Sequence, residues 1–193
     1  MNRGVQAEES GMNEIASQGQ LRMSYVRWAL FTVPMVIFLG FLSGEVSDSG
    51  YGNRWFAALQ KPDFMPPGWV FPVAWSVLYL LLGLAIAIIL HARGARLRGV
   101  AIALFLVQLV ANYCWSPLFF RAHMVPEAFW LILFIFALSA LTAWVFARIR
   151  PFAAVLLLPY LGWLIFAAML TQSIDQLNPD ASRLVVPALK TRI

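Results

Sequence analysis

Five long apolar segments separated by short polar links dominate the hydrophobic pattern of this 193-residue chain. They cover about residues 26–46, 71–91, 99–119, 127–147 and 152–174. Each is close to the ~20 residues that a helix needs to cross the ~30 Å hydrocarbon core of a bilayer. Strands of a membrane barrel would be about half as long and would alternate in polarity. The pattern therefore predicts an all-α integral membrane protein with five transmembrane helices.

The links after the second, third and fourth segments are short and basic, at 92–98, 121–126 and 148–151. Links this short require neighbouring helices to pack antiparallel in one bundle. We expect the bundle to span residues 25–178. Residues 1–24 are polar and carry few large apolar side chains, which predicts a disordered tail, and residues 179–193 form a C-terminal tail.

Composition agrees with a membrane location. The chain is 61% hydrophobic and only 12% charged, whereas a soluble domain has about 25% charged residues. The net charge of +5 comes largely from arginines between apolar segments, where membrane topology and lipid headgroups explain them. Because no recognition motif accompanies this charge, we expect membrane lipid as a partner and no nucleic acid.

The basic residues also predict an orientation. More of them lie at segment ends on the N-terminal side of the membrane, which favours a cytoplasmic N-terminus. On that side are Arg22, Arg27, Arg93, Arg96, Arg98, Arg148 and Arg150, and on the other side are Arg54, Lys61, Arg121 and Arg183.

Polar residues inside the segments are few, and three of them share a helix face. Gln108, Asn112 and Ser116 recur at intervals of four. They could form hydrogen bonds between helices, or they could line an internal cavity, and the sequence favours both equally. No charge lies away from a segment end, which argues against a coupled pump. A single cysteine, Cys114, excludes an intramolecular disulfide, and we expect no metal site and no required cofactor.

The link between the first two segments has a different character. Residues 55–75, WFAALQKPDFMPPGWVFPVAW, contain six aromatic residues and four prolines. Proline removes a backbone donor and prevents regular helix, so this loop must be stiff without helical hydrogen bonds. An aromatic belt at the membrane interface would need the aromatic residues but not the prolines. We therefore interpret the loop as a lid over the mouth of a pocket in the bundle.

The eight tryptophans divide into two groups. Trp28, Trp130 and Trp144 suit an interfacial belt, whereas Trp163 lies near the middle of the fifth segment. Trp75 and Tyr79 are four residues apart and face the same way. Aromatic walls with a few polar groups suit a large, planar, mostly apolar ligand.

Three motifs resemble those of the tryptophan-rich sensory protein and translocator protein family, which includes the mitochondrial peripheral benzodiazepine receptor. They are the loop continued to Tyr79, the sequence ANYCWSPLFF at 111–120, and PYLGWLIFAAML at 159–170. They occur in family order, and the resemblance covers about residues 26–178. It implies a five-helix bundle, often homodimeric, with a pocket beneath the loop that joins the first two helices.

The resemblance also implies ligands and site residues. The expected ligand is a tetrapyrrole such as protoporphyrin IX or heme, or another planar apolar molecule. Carried over by motif position, the ligand-contacting candidates are Trp55, Phe64, Trp75, Tyr79, Asn112, Trp115, Trp163 and Ala167. Some bacterial members are reported to degrade porphyrin in light, which makes Trp75 and Trp163 photochemical candidates.

The chain departs from the family pattern at three positions. Phe64 stands where the loop often has tryptophan, so one wall is expected to lose an indole. Thr171 stands where an asparagine is usual, which removes an amide. Phe166 lies where a small residue is common and is expected to narrow the pocket.

The resemblance implies three functions. The first is a receptor or sensor that binds tetrapyrroles and regulates tetrapyrrole or stress responses. The second is light-dependent porphyrin degradation, and the third is transport of porphyrin or sterol-type ligands. We expect a bacterial cell membrane rather than the mitochondrial outer membrane. A small-residue patch of Gly99, Ala101 and Ala103 is compatible with a homodimer.

Overall fold

The computed structural model describes residues 18–184, and side chains from residue 23 onward. Within this range the chain is helical, with no strands. In chain order the helices are α1 (Gln18–Val46), α2 (Arg54–Ala58), α3 (Val70–His91), α4 (Arg98–Ser116), α5 (Val125–Ile149), α6 (Pro151–Val155) and α7 (Leu158–Leu177). A π-helical turn, Pro117–Arg121, continues α4, and a 3₁₀ turn, Ala181–Arg183, follows α7.

The five predicted transmembrane helices are confirmed. Stretches long and apolar enough to cross a membrane are Met23–Val46, Val70–His91, Arg98–Arg121, Val125–Ile149 and Pro151–Leu177. Helix α1 begins at Gln18 and so includes residues 18–24, which the sequence assigned to a disordered tail. Residues 1–17 and 185–193 of the two predicted tails lie outside the described residues.

The bundle is built from close helix pairs. Helix α1 packs along α3, and α5 packs on both α4 and α7. The α1–α3 contact depends on glycine: a Cβ at Gly83 would lie 2.6 Å from Val33 Cα in the backbone of α1. The Thr32 hydroxyl on α1 donates to the Gly83 carbonyl at 2.8 Å, so this contact also has a direct hydrogen bond. The two backbones therefore approach too closely for any larger residue.

Two hydrophobic clusters fill the interior. The larger lies between the spans and contains the fully buried Phe105, Phe146 and Tyr160. The smaller lies at one end of the bundle, where Trp55 and Phe56 of α2 pack against Phe119. This second cluster joins the loop between α1 and α3 to the rest of the protein.

The three residues of the small-residue patch differ in how far they are buried. Gly99 and Ala103 are exposed, but Ala101 is fully buried in the core of its own chain. A homodimer through α4 would therefore use Gly99 and Ala103 and not Ala101, and it stays a prediction.

Candidate functional site

The main cavity is a space of about 640 Å³ between α1, α3, α4 and α7. Its floor and far walls are aromatic, with Trp75 and Tyr79 from α3, Trp115 from α4 and Phe119 from the π-helical turn. Trp75 stacks on Tyr79 with ring centroids 5.0 Å apart, and Trp115 stacks on Phe119 at the same distance. Two flat aromatic surfaces therefore border one space.

Polar groups enter the main cavity from few positions. Asn112 Nδ2 donates to the Tyr79 hydroxyl at 3.3 Å, and both residues are buried. Ser116, one turn further along α4, and Thr171 on α7 also line the cavity. The indole of Trp115 is already satisfied, because Nε1 donates to the Ala128 carbonyl at 3.2 Å.

The sequence left two roles open for the shared polar face of α4, hydrogen bonding between helices and lining a cavity, and this face has both. Gln108 lies below the cavity and accepts a hydrogen bond from the Ser139 hydroxyl of α5 at 3.1 Å. Asn112 and Ser116, nearer the end of the helix, line the cavity. The same row of residues thus joins α4 to α5 at Gln108 and forms a polar part of the cavity wall at Asn112 and Ser116.

The deep cavity, a smaller space of about 50 Å³, lies beside the main one against α5 and α7. The two spaces are bordered by a common set of side chains, Phe71, Trp75, Asn112, Trp115, Leu170 and Thr171. Trp163, Phe166 and Ala167 line only the deep cavity. Phe166 contacts Trp163 with ring centroids 5.4 Å apart and occupies space there.

The structure brings six of the eight predicted site residues together. Trp75, Asn112 and Trp115 border both cavities, Tyr79 borders the main cavity, and Trp163 and Ala167 border the deep cavity. The residues that sequence reasoning missed are chiefly Tyr51, Phe56, Phe71, Phe119, Phe120 and Leu170. All of these except Tyr51 lie inside the motifs quoted above, and their positions there are the one signal that could have found them.

Trp55 and Phe64 line neither cavity. Phe64 is 47% exposed and meets Phe166 edge-on at 6.4 Å, so it covers the outer side of the deep cavity. Trp55 belongs to the same loop and is buried. Its Nε1 donates to the Ala181 carbonyl at 2.8 Å, and its ring stacks on His123 at 4.1 Å. Trp55 therefore does not form a wall of either cavity. It anchors the loop that covers the main cavity to Ala181 and His123.

Residues 47–69, here called the roof loop, close one end of the main cavity through Tyr51, Phe56, Met65 and Gly68. Helix α2 within it is capped by Asn53, whose Oδ1 accepts from the Phe56 amide and whose Nδ2 donates to the Phe120 carbonyl. At the other end of α2, Lys61 Nζ donates to the carbonyls of Phe56 and Leu59 at 2.7 and 3.0 Å. The roof loop thus replaces missing helical hydrogen bonds with side-chain ones.

The roof loop is also attached to the segment after α7. The Gln60 amide donates to Asn178 Oδ1 at 2.8 Å, and Asn178 Nδ2 donates back to the Gln60 carbonyl at 2.9 Å. With the bond from Trp55 to Ala181, this gives three contacts between the roof loop and residues 178–181. The cover of the cavity is therefore held by the end of the fifth span.

Two ionisable groups of this region are shifted by burial. Burial lowers the pKa of Lys61, whose ammonium lies over the Phe56 ring at 4.8 Å. Burial against Trp55 also lowers the pKa of His123, partly offset by a hydrogen bond with the backbone of Phe120. Both shifts disfavour the charged form at the points that hold the roof loop in place.

The main cavity opens on the side of α1. Its lining residues from α1 and the roof loop include Phe41, Leu42, Glu45 and Tyr51, which are all exposed. Those from α4 and α7 include Asn112, Leu170, Thr171 and Ile174, which are all buried. A ligand would therefore reach the aromatic floor from the edge formed by the last turn of α1.

Comparisons with known proteins show the family to which the chain belongs. The family model described as the TspO/MBR family matches residues 30–177, which include the roof loop and most of the five spans. The chain is 40% identical over 141 residues to a translocator protein of Ovis aries, covering 72% of this chain and 83% of that protein. It is 33% identical over 147 residues to a tryptophan-rich sensory protein of Cereibacter sphaeroides, covering 74% of this chain and 91% of that protein. With a tryptophan-rich protein TspO of Chlorobaculum tepidum it shares 36% identity over 148 residues, which cover 76% of this chain and 93% of the other.

Proposed function

Because the chain belongs to the TspO/MBR family of multi-pass membrane proteins, we propose that it is a receptor that binds a tetrapyrrole such as protoporphyrin IX or heme. The main cavity is the binding site, and occupancy regulates a tetrapyrrole or stress response. Its membrane is a bacterial cell membrane, a proposal supported by two bacterial relatives that match this chain over 91% and 93% of their own length.

The observation that supports this proposal is the aromatic enclosure of the main cavity. Its ~640 Å³ lies within the range of about 300–1,000 Å³ typical of small-molecule sites. A planar ring could lie against the Trp75–Tyr79 stack, where offset aromatic contacts are favourable. Asn112, Ser116 and Thr171 supply the few polar groups that such a site uses to fix orientation.

The experiment is a titration of the full chain, reconstituted in lipid nanodiscs, with protoporphyrin IX while tryptophan fluorescence is recorded. Saturable quenching is expected, because Trp75, Trp115 and Trp163 border the two cavities. Trp75→Phe should weaken binding about 2- to 10-fold, the equivalent of one weakened aromatic contact, because Trp75 borders both cavities. The matched control is Trp130→Phe, since Trp130 is 67% exposed on the outside of the bundle. Equal effects of the two variants would contradict the assignment of the site, and no saturable quenching would contradict the proposed function.

Photochemical degradation of the ligand is a second candidate function, and one arrangement favours it. The Trp75 ring lies 6.3 Å from the Trp163 ring and 5.0 Å from the Tyr79 ring. Three oxidisable aromatic side chains therefore form a connected row beside the cavity. The same titration, repeated under illumination and in the dark, distinguishes the two functions. Light-dependent bleaching of bound porphyrin that Trp75→Phe and Trp163→Phe abolish would support degradation, and a stable porphyrin spectrum would support binding alone.

A further inference from the structure

The charge on the lining of the main cavity is of one sign, which is negative. Among the residues that the structure describes, its lining contains one carboxylate, Glu45, and no lysine, arginine or histidine. Glu45 is exposed and lies next to the last residue of α1, at the edge where the cavity opens. Any ligand that enters must therefore pass a negative charge and meets no positive one on the walls.

Helix ends add to this asymmetry. The cavity lies against the C-terminal ends of α1, of α7 and of the π-helical turn that continues α4. Each such end has the partial negative charge of the helix dipole, worth up to about half an elementary charge. Among the long helices that the structure describes, only α3 presents its N-terminal end, through Phe71 and Pro72.

That single positive end has few free donors. Pro72 has no backbone N–H, the Val70 amide donates to the Pro67 carbonyl at 3.0 Å, and the Val73 amide donates to the Trp69 carbonyl at 3.4 Å. A carboxylate placed at the start of α3 would therefore find little of the hydrogen bonding that helix N-termini usually offer to anions.

Two basic side chains near the rim of the cavity donate to backbone carbonyls. Lys61 Nζ donates to carbonyls of its own loop, and Arg121 donates to the Val46 carbonyl at 3.3 Å. Neither side chain lines the cavity. Both lie near its rim, where they could meet a charge that stays outside.

From these observations, and on the basis of the proposed function, we infer that the main cavity selects planar ligands by charge. An uncharged or cationic ring enters fully, whereas a ring with carboxylates binds with those groups held at the mouth. Glu45 is the side chain that sets this preference. For a tetrapyrrole, the apolar edge of the ring would point toward Trp115 and Thr171, and its acid groups would stay outside the rim, on the side where Lys61 and Arg121 lie.

The test compares two porphyrins with the same ring. Protoporphyrin IX has two carboxylates, and its dimethyl ester has none. Each is titrated into the full chain in phosphatidylcholine nanodiscs, with tryptophan quenching as the readout and empty nanodiscs as the reference for partitioning. The ester should bind about tenfold more tightly than the diacid, the combined effect of two carboxylates at about three- to fivefold each. Glu45→Gln should strengthen diacid binding about three- to fivefold, the effect expected for one exposed charge, and should change ester binding less.

The matched control is Glu127→Gln. Glu127 is an exposed carboxylate at the start of α5 that does not line the cavity, so this variant should change neither affinity. The decisive quantity is the change that each variant causes in the ratio of ester affinity to diacid affinity. The partitioning of each porphyrin into the lipid is the same for every variant, so it cancels from this change. A ratio that Glu45→Gln leaves unchanged, or that Glu127→Gln changes equally, overturns the charge selection while the proposed function survives. If neither porphyrin quenches saturably, the proposed function is wrong and the charge selection is wrong with it.

Discussion

Replacing Trp55 with phenylalanine should loosen the roof loop without altering any wall of the main cavity. The indole is 4% exposed, donates to the Ala181 carbonyl at 2.8 Å and stacks on His123. Phenylalanine can keep most of the packing, but it has no N–H. Loss of a buried hydrogen bond removes about 1 kcal/mol. The smaller ring buries roughly 40 Å² less apolar surface, which removes about another 1 kcal/mol at ~25 cal/mol per Å².

A total of about 2 kcal/mol corresponds to an approximately 30-fold larger population of the open roof loop. Hydrogen–deuterium exchange of the full chain in nanodiscs measures this population directly, because local opening limits exchange of protected amides. The informative amides are those of Phe56, Gln60 and Met65, which donate to Asn53, Asn178 and Pro62 respectively. They should exchange about 30-fold faster in Trp55→Phe.

The matched control is Trp69→Phe in the same loop. Trp69 is 67% exposed, so its replacement should leave the exchange of these amides near the original rate. If Trp55→Phe exchanges no faster than the unmodified protein, or if the two variants accelerate exchange equally, Trp55 does not hold the roof loop as described.

Two further predictions concern packing and pH. Gly83→Ala should lower the thermal unfolding midpoint, because its Cβ would meet the backbone of α1 at Val33, whereas Gly99→Ala, with no atom within 4 Å of the added Cβ, should not. Equal midpoints for the two variants would contradict the close contact. His123 has a folded-state pKa below its ordinary value of 6.5, so its contribution to stability is present above pH 6.5 and is lost as pH falls toward the folded-state pKa. The midpoint should therefore fall more between pH 7.5 and pH 5.5 in the unmodified protein than in His123→Gln, and parallel falls would exclude His123 as the source.

The spans could be predicted from sequence because they depend on a local property, the length of an apolar run. The positions of Trp75, Asn112 and Trp115 were predictable for a related reason. Once α3 and α4 are helices, spacings of three and four residues determine which side chains share a face. The resemblance to a known family then indicated which face lines the pocket.

The role of Trp55 could not be predicted in the same way. A wall of the cavity and a support behind it both need a large aromatic residue, so the residue type does not distinguish them. The difference lies in the contacts with Ala181 and His123, which are 126 and 68 positions away in the chain. No local pattern encodes such partners.

The attachment of the roof loop to residues 178–181 was also absent from the predictions. That segment is short and polar and reads as the start of a tail. Asn178 holds the roof loop only because the backbone N–H and carbonyl of Gln60 lie opposite its side-chain amide and bond to it. The π-helical turn is similar, since Pro117 indicates a break in α4 but not that Phe119 and Phe120 will then face the cavity.

This attachment has a consequence for the order in which the protein is made. The roof loop leaves the ribosome directly after the first span, but Asn178 and Ala181 are synthesised only after the fifth. Until the fifth span has been made, the loop therefore lacks these two partners, although Phe120 and His123 are already present. Residues translated after the fifth span complete the closure, so the roof loop is the last part of the cavity wall to be fixed in place.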